Sequence, residues 1–365
     1  MMQVFQLAVR FIAVLTLMSV PVQAGFVVTD LGTLGGTNSA GLGINHSGQV
    51  IGVASTTGDS SYRAFMSSGG PMTDLGTLGG TTSNGYSINN SGQVTGSAAT
   101  AGNNTHAFLS SAGSMTDLGT LGGTRSTGYG INNSGQVVGS AYLAGNGTTH
   151  AFLYSGGSMT DLGTMGGANS GGFGINDLGQ ITGYSYTSVP GSYHAFLLSG
   201  AAMTDLGTLG GTYSVGYGIN SSGQVTGSAA TNNDSSHHAF FVSSGGLMND
   251  LGTLGGTNSE GRGINDSGQV VGSSDTAGDI NSHAFLTIGG VMFDLNSLID
   301  SGSGWELLLA SDINNSGQIT GYGRHDGQIH AFLLTPETLS VPESASITMW
   351  SIGALVLMFA RRKRR

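Results

Sequence analysis

The sequence predicts an all-β protein: a seven-bladed β-propeller of about 44-residue, four-stranded repeats, closed by its own N-terminal strand. Three observations carry this. The first is that three landmarks each recur seven times. Asp-Leu, usually within D-L-G-T-L-G-G, falls at Asp30, Asp74, Asp117, Asp161, Asp205, Asp250 and Asp294. The string I-N-x-x-G-Q places Asn45, Asn89, Asn132, Asn176, Asn220, Asn265 and Asn314, and Ala-Phe places Phe65, Phe108, Phe152, Phe196, Phe240, Phe285 and Phe332. The second is the spacing: Asp30 to Asp294 is 264 residues in six steps, a mean of 44, which suits a propeller blade. The third is the offset of the landmarks. The chain opens on a strand-d segment, residues 26–34, ahead of any strand a, and ends on a strand-c segment, 329–335, with no strand d after it. In a ring the first segment completes the last blade and leaves no free sheet edge. A parallel β-helix with two rungs per unit, the runner-up, gives no reason for that offset.

Each element follows in order. Arg10 precedes an apolar run over 11–20, and Val22-Gln23-Ala24 puts small residues before Gly25, so 1–24 reads as a secretory signal peptide cleaved between Ala24 and Gly25. Residues 25–335 are the repeat domain. In the second unit Tyr86 and Ile88 share one face of a short strand a, Asn90-Ser91-Gly92 makes a turn, and Val94-Thr95-Gly96-Ser97 begins strand b. His106-Ala107-Phe108-Leu109 is strand c and Met115-Thr116-Asp117-Leu118 is strand d. The Gly-rich segments between them, the G-G pairs included, read as turns, and no stretch has a helical period. The last unit departs from the others by an inserted segment, 298–309, that contains Trp305. A linker and motif follow over 336–343, ending in Val341-Pro342-Glu343. Residues 344–360 are just long enough for a membrane-spanning helix, and the basic tail 361–365 keeps that end cytoplasmic.

Composition removes several functions. Charged residues are 8% of the chain, where about 25% is usual. Between Arg10 and the tail the only basic residues are Arg63, Arg125, Arg262 and Arg324, which excludes nucleic acid as a partner. The absence of Cys excludes disulfides, thiolate metal sites and a Cys nucleophile. Residues 25–340 carry 19 acidic and 4 basic side chains, a net of −15. That charge repels polyanions and suits neutral glycans, divalent cations bridging to acidic polysaccharide, or protein partners.

The motifs that look chemical read better as structure. His106, His150, His194, His238, His283 and His330 precede Ala-Phe, with Arg63 in that place in the first unit, and with the seven Asp they suggest metal or acid–base pairs. A residue present in every blade belongs to the blade, so no metal site, cofactor or catalytic residue is expected. Asp312-x-Asn314-x-Ser316-Gly317 imitates a calcium loop, but Gly323 stands where the bidentate Glu belongs, and a hairpin turn explains it. The G-G pairs lack the Lys-Ser/Thr of a phosphate loop. Leu42, Tyr86, Tyr129, Phe173 and Tyr217 each lie two residues before the Ile of strand a and are expected in the core; Arg262 breaks that series, either as a ligand contact or as an exposed variant. An enzyme would need a singular cluster, and only repeated ones are visible.

Comparison of the seven units shows the a–b turns and d–a connections nearly constant and the b–c connections variable: 56–61, 101–105, 144–149, 186–193, 231–237, 274–282 and 324–328. Such variation suits a binding surface on the loops of a rigid scaffold, and it equally suits neutral drift. The candidate contacts are Tyr186 and Tyr193, with Tyr184 beside them, as rings that can stack on sugars, and Arg324, His325 and Asp326.

Two resemblances complete the reading. The order Val341-Pro342-Glu343, apolar helix, basic end resembles the PEP-CTERM sorting signal of polysaccharide-exporting Gram-negative bacteria, with Ser344 in place of the second Pro. That resemblance implies an exosortase-type sorting protease as partner, transient anchoring in the inner membrane through the C-terminal helix, and delivery to the cell surface or beyond. The strings D-L-G-T-L-G-G, I-N-x-S-G-Q and H-A-F, over about 27–335, are similar to the HAF family of extracellular repeats. The resemblances imply export and the repeat fold and bring no activity with them; with the motifs read as structure, the expected function is an exported, non-catalytic binding or structural module associated with exopolysaccharide or biofilm, with extracellular polysaccharide or surface proteins as partners. The alternatives are a glycan lyase or hydrolase on a propeller and a self-assembling surface protein.

Overall fold

The computed structural model describes residues 25–243 and 246–337. The expected signal peptide, Ala24, the Val341-Pro342-Glu343 motif, the membrane helix and the basic tail lie outside the described residues.

Seven four-stranded antiparallel blades surround one axis. In blade 2 the strands are Gly79–Ile88 (a), Val94–Thr100 (b), Thr105–Ser111 (c) and Ser114–Asp117 (d). Blade 7 takes its strands from both ends of the repeat domain. Trp305–Ile313, Ile319–His325 and Gln328–Pro336 are its strands a to c, and Phe26–Asp30 is its outermost strand d. The Leu31 N–H donates to the Ala331 carbonyl at 3.0 Å, so the ring is sealed by backbone pairing between segments 300 residues apart. The sealing strand ends at Asp30, earlier than the expected 26–34, because Leu34 forms a parallel bridge to Thr56 and already belongs to blade 1.

Strand a is longer than the sequence suggests. It runs ten residues in blade 2 and starts at the G-G pair read as a turn, with Gly79 opposite Thr100. Gly79 has φ 99°, which only glycine adopts readily, and the ladder slips between Gly79 and Ser83. The pair is therefore a bulge that opens the strand. Among the described residues the helical segments are short 3-10 turns, and no helix is long and apolar enough to cross a membrane.

The core sits between blades. The phenylalanine of every Ala-Phe is fully buried, which contributes about 2–3 kcal/mol each from apolar area alone. Ile51 and Ala64 of blade 1 pack with Ile88, Val94, Ala98 and Phe108 of blade 2, and the same arrangement at the seam joins Leu31, Ala331 and Leu333 to Ile44, Val50, Ala54 and Phe65. The rings fit because strand b has a glycine beneath them. At Gly96 a Cβ would lie 1.9 Å from the Asn84 carbonyl oxygen and 2.8 Å from the Phe108 ring.

At six of the seven junctions a serine ties one blade to the next. Ser126 Oγ accepts from the Ala107 N–H at 2.8 Å and donates to the Gly119 carbonyl. At the junction of blades 6 and 7 the serine position is Leu308, and the 3-10 turn Leu295–Leu298 takes over. There Asn296 exchanges two hydrogen bonds with the backbone of Leu307, at 2.9 and 2.7 Å.

Candidate functional site

The axis is built from the last residues of the seven strands a. The I-N-x-x-G-Q asparagine begins the a–b turn and is nearly buried. In blade 2 the Asn89 Oδ1 accepts from the N–H groups of Ser91 and Gln93 at 3.1 and 2.9 Å. Its Nδ2 donates to Gln93 Oε1 at 2.8 Å and to the Asn132 carbonyl of the next blade at 3.0 Å. All four hydrogen-bonding positions of the amide are thus used, and Gly92 supplies the positive φ of 76° that the turn needs. Repeated in every blade, the Nδ2 bonds form a closed ring that returns from Asn314 to Asn45. A shallow cavity of about 250 Å³ opens on that ring, floored by the isoleucines that precede the asparagines. Four of those isoleucines, Ile131, Ile175, Ile219 and Ile264, also border a second cavity on the other side, of about 410 Å³.

This larger cavity is not seven-fold uniform. The residues two before the isoleucine are Leu42, Tyr86, Tyr129, Phe173 and Tyr217 in blades 1–5, then Arg262 and Ser311. Neighbouring rings of the aromatic arc have centroids 5.3, 4.8 and 5.4 Å apart. Leu42 packs against the core between blades 1 and 2, as expected, while also bordering the cavity; the aromatic four, expected in the core, instead line the cavity half-buried, because the strand-a alternation that puts Ile toward the asparagine ring also turns them to the axis. Arg262 lies 4.3 Å over the Tyr217 ring and donates to Glu260 at 2.7 Å. Its Nε and the Ser311 Oγ are buried without a protein partner. Burial, then the Glu260 charge, push the Tyr217 phenol well above its usual range, so it stays neutral.

Asp312 completes the polar sector. It lies near the end of strand a, just ahead of the hairpin turn that Asn314 to Gly317 make as expected, and occupies a position held by Gly or Ser in the other units. Its carboxylate accepts from the Ile44 N–H of blade 1 at 3.0 Å and from its own neighbour Ile313 at 2.9 Å. Burial pushes its pKa up to about 6 against those two bonds. Protein atoms surround it at depth while one side borders the cavity. Arg262, Ser311 and Asp312 thus give the cavity one polar sector that occurs once in the ring, with a single carboxylate and no histidine in it. The signal was present in the seven copies, in the two positions before the strand-a isoleucine.

An aromatic path leaves this cavity through blades 4 and 5. Phe173 is 5.9 Å from Tyr184, which is 5.9 Å from Tyr193. Tyr193 is 5.3 Å from Tyr186 and stacks on Tyr213 at 5.4 Å. Phe173, Tyr184, Tyr186, Tyr193, Val215 and Tyr217 line a further, open cavity of about 320 Å³, sharing Phe173 and Tyr217 with the axial one.

The candidate loop residues sit at strand ends. Tyr186 is in strand b, Ile181–Thr187, and Tyr193 opens strand c, Tyr193–Ser199. Arg324 and His325 end strand b of blade 7, because the hairpin there needs only Asp326 and Gly327. Arg324 is half-exposed and pairs with Glu306 at 2.9 Å. The structure thus joins Tyr186 and Tyr193 in one cluster and leaves Arg324 and His325 in another, at the seam.

The repeated His-Asp pairs are blade features. His106, His150 and His194 each hold the Asp of the following strand d at 2.8 Å through Nδ1, and Arg63 stands 3.7 Å from Asp74 in blade 1. At the seam His330 pairs with Asp30 at 2.9 Å, and His325 Nδ1 adds itself at 3.3 Å from the same oxygen. Burial works to raise the Asp30 pKa, but the Gly32 N–H, His330 and His325 outweigh it and hold that carboxyl below its usual range.

These features define a closed seven-bladed β-propeller with an asymmetric axial cavity. No family model matches the sequence, and no curated protein is significantly similar to it. Among solved structures, a puromycin-hydrolyzing peptidase of Mycobacterium tuberculosis is similar with a TM-score of 0.55 at 10% identity, over 85% of this chain and 53% of that one. TolB from Acinetobacter baumannii is similar with a TM-score of 0.45 at 12% identity, over 79% of this chain and 64% of that one. An acylaminoacyl peptidase of Pyrococcus horikoshii gives 0.47 at 11% identity, over 82% and 53%. The chain spans about half the length of the two peptidases, and the likeness to the first bears on the fold alone.

Proposed function

We propose that this is an exported, non-catalytic binding module of the cell surface or extracellular matrix that holds a neutral glycan, one end in the axial cavity and further sugar rings along the tyrosine path. The observation that carries the reading is the wall shared by the two cavities: Phe173 and Tyr217 face both, so the aromatic surface is continuous from the axis to Tyr213. Tyrosine combines a flat apolar face for sugar C–H groups with a hydroxyl for sugar oxygens. The unpartnered Arg262 Nε and Ser311 Oγ are donors for hydroxyls at the axial end. The net of −15 over residues 25–340 disfavours an acidic polymer.

A binding role is favoured over hydrolysis by the carboxylates. Glycosidases work with a pair, and here Glu260 is engaged by Arg262, leaving Asp312 bound to two backbone N–H groups. Export rests on the 1–24 signal and the PEP-CTERM-like end, which imply processing by an exosortase-type protease after insertion of one C-terminal helix.

The test is co-sedimentation of the full chain with a neutral and an acidic extracellular polysaccharide, with polymer length followed in the same tubes. The expected result is saturable pelleting with the neutral polymer, unchanged polymer length, and affinity reduced about tenfold or more in Tyr186→Ala and Tyr193→Ala, at roughly 1–2 kcal/mol per lost ring contact. Shortened polymer would make the protein an enzyme. Pelleting that ignores both tyrosines would place the binding surface elsewhere.

A further inference from the structure

We propose that the seam of the propeller carries a site for one divalent transition metal of the zinc class, formed by Asp30, His325 and His330. This goes beyond the glycan reading and does not depend on it.

Blade 7 ends strand b on a residue type that the other blades lack. Six blades end strand b on a residue with no metal-binding nitrogen, as with Thr56, Thr100, Leu143, Thr187, Thr231 and Thr276. Blade 7 ends strand b on His325. Its ring lies flat against Trp305 directly across the ladder, with centroids 4.6 Å apart and planes at 7°. Trp305 belongs to the segment by which this unit departs from the repeat. The two departures therefore act together: the indole holds the imidazole with Nδ1 turned toward Asp30.

The result is a convergence that a His-Asp pair alone does not offer. The ligand atoms of Asp30, His325 and His330 all lie within 4.8 Å of one another. Asp30 Oδ2 is 2.9 Å from His330 Nδ1 and 3.3 Å from His325 Nδ1. Ligand atoms about 2.0–2.1 Å from a tetrahedral zinc ion are separated by roughly 3.3–3.4 Å, so small side-chain adjustments bring these three to bonding distance. Two imidazole nitrogens and one carboxylate oxygen are a donor set for zinc, cobalt or nickel rather than for calcium, and three protein ligands leave a fourth position for water. His330 Nε2 lies 3.2 Å from Gln328 Oε1, an outer partner of the kind that orients metal-bound histidines. All three side chains are partly exposed, so the ion has a path in.

Location gives the site a consequence. Asp30 lies on the sealing N-terminal strand, and His325 and His330 lie on the two strands inside it. A bound ion would clamp the first strand of the ring to the last two, which raises resistance to unfolding because the unfolded chain brings no such set together.

The untagged full chain is titrated with Co2+, followed by its visible absorption bands, and the cobalt is then displaced with Zn2+. One equivalent per chain is expected, together with a rise in the thermal midpoint on adding Zn2+. His325→Gln, which keeps size and polarity, should bind at least about tenfold more weakly and lose the Zn2+-dependent shift. His194→Asn, in a blade that has the pair without the second histidine, should change neither. An unchanged Co2+ affinity in His325→Gln, with a metal-free melt like that of the parent, would overturn the proposal. So would the absence of a Co2+ spectrum in the parent, or equal loss in His194→Asn.

Discussion

Asn314 Nδ2 donates to the carbonyl oxygen of Asn45 at 3.0 Å, across 269 residues of chain, and that bond turns six repeated contacts into a closed ring. The same amide group holds its own turn through Gln318 and Ser316, so one side chain serves both the local hairpin and the ring.

Replacing such an asparagine by aspartate tests that double role. In Asn132→Asp two donated bonds, to Gln136 Oε1 and the Asn176 carbonyl, become contacts between acceptors in a buried place. The expected loss is about 3 kcal/mol, read from the denaturant midpoint. A change below roughly 0.5 kcal/mol, the range of surface substitutions, would mean that the ring adds nothing to stability.

Gly96→Ala should be nearly as damaging, for a different reason. The added methyl meets the Asn84 carbonyl oxygen at 1.9 Å and the Phe108 ring at 2.8 Å, so strand or ring must move, at about 2–4 kcal/mol. Gly102→Ala is the control: its nearest neighbour is 3.8 Å away, and thermal melts should match the parent.

Asp312 sets a pH dependence whose sign is unusual for a carboxylate. Its native pKa is raised from 3.8 to about 6, so between those values the native state binds more protons than the unfolded chain. Stability from this group is then fullest below pH about 4, falls as pH rises to about 6, and stays lowered above. The size is at most about 3 kcal/mol, less where cavity water solvates the charge. Comparing urea midpoints of the parent and Asp312→Asn between pH 4 and 7 isolates it; the difference between the two proteins should change across that window. A difference that stays constant would show that Asp312 titrates normally.

The proposed export makes a prediction by mass. The protein recovered outside the inner membrane should begin at Gly25 and lack residues 361–365. Alanine at Val341, Pro342 and Glu343 together should leave the tail attached and the chain in the membrane fraction. Intact-mass measurement distinguishes the two forms, and identical masses would show that the motif is not used.

Much of this was legible in the sequence because a repeat is read many times over. Seven copies of Asn-x-x-Gly-Gln, Ala-Phe and Asp-Leu report the turn, strand c and the outer strand, and the orphan first strand reports closure. The cavity was not legible in the same way. Tyr86, Tyr129, Phe173 and Tyr217 have core spacing, and spacing along a strand does not distinguish a filled interior from a lined one. Asp312 was hidden by its surroundings: in the chain it sits beside a turn motif, and its partner Ile44 is 268 residues away.

By itself, then, the sequence determined what recurs: seven blades of four strands, the Asn-Gly turn between strands a and b, and the register that puts strand d of the last blade at the start of the chain. These follow from local alternation and period, which act within one unit. Only the tertiary structure decided what occurs once. Arg262, Ser311 and Asp312 share a cavity, Phe173 and Tyr217 join it to Tyr186 and Tyr193, and His325 meets Asp30. Each depends on side chains from different strands converging once the ring has closed, and no period along the chain encodes which unique residues face one another across an axis or a seam.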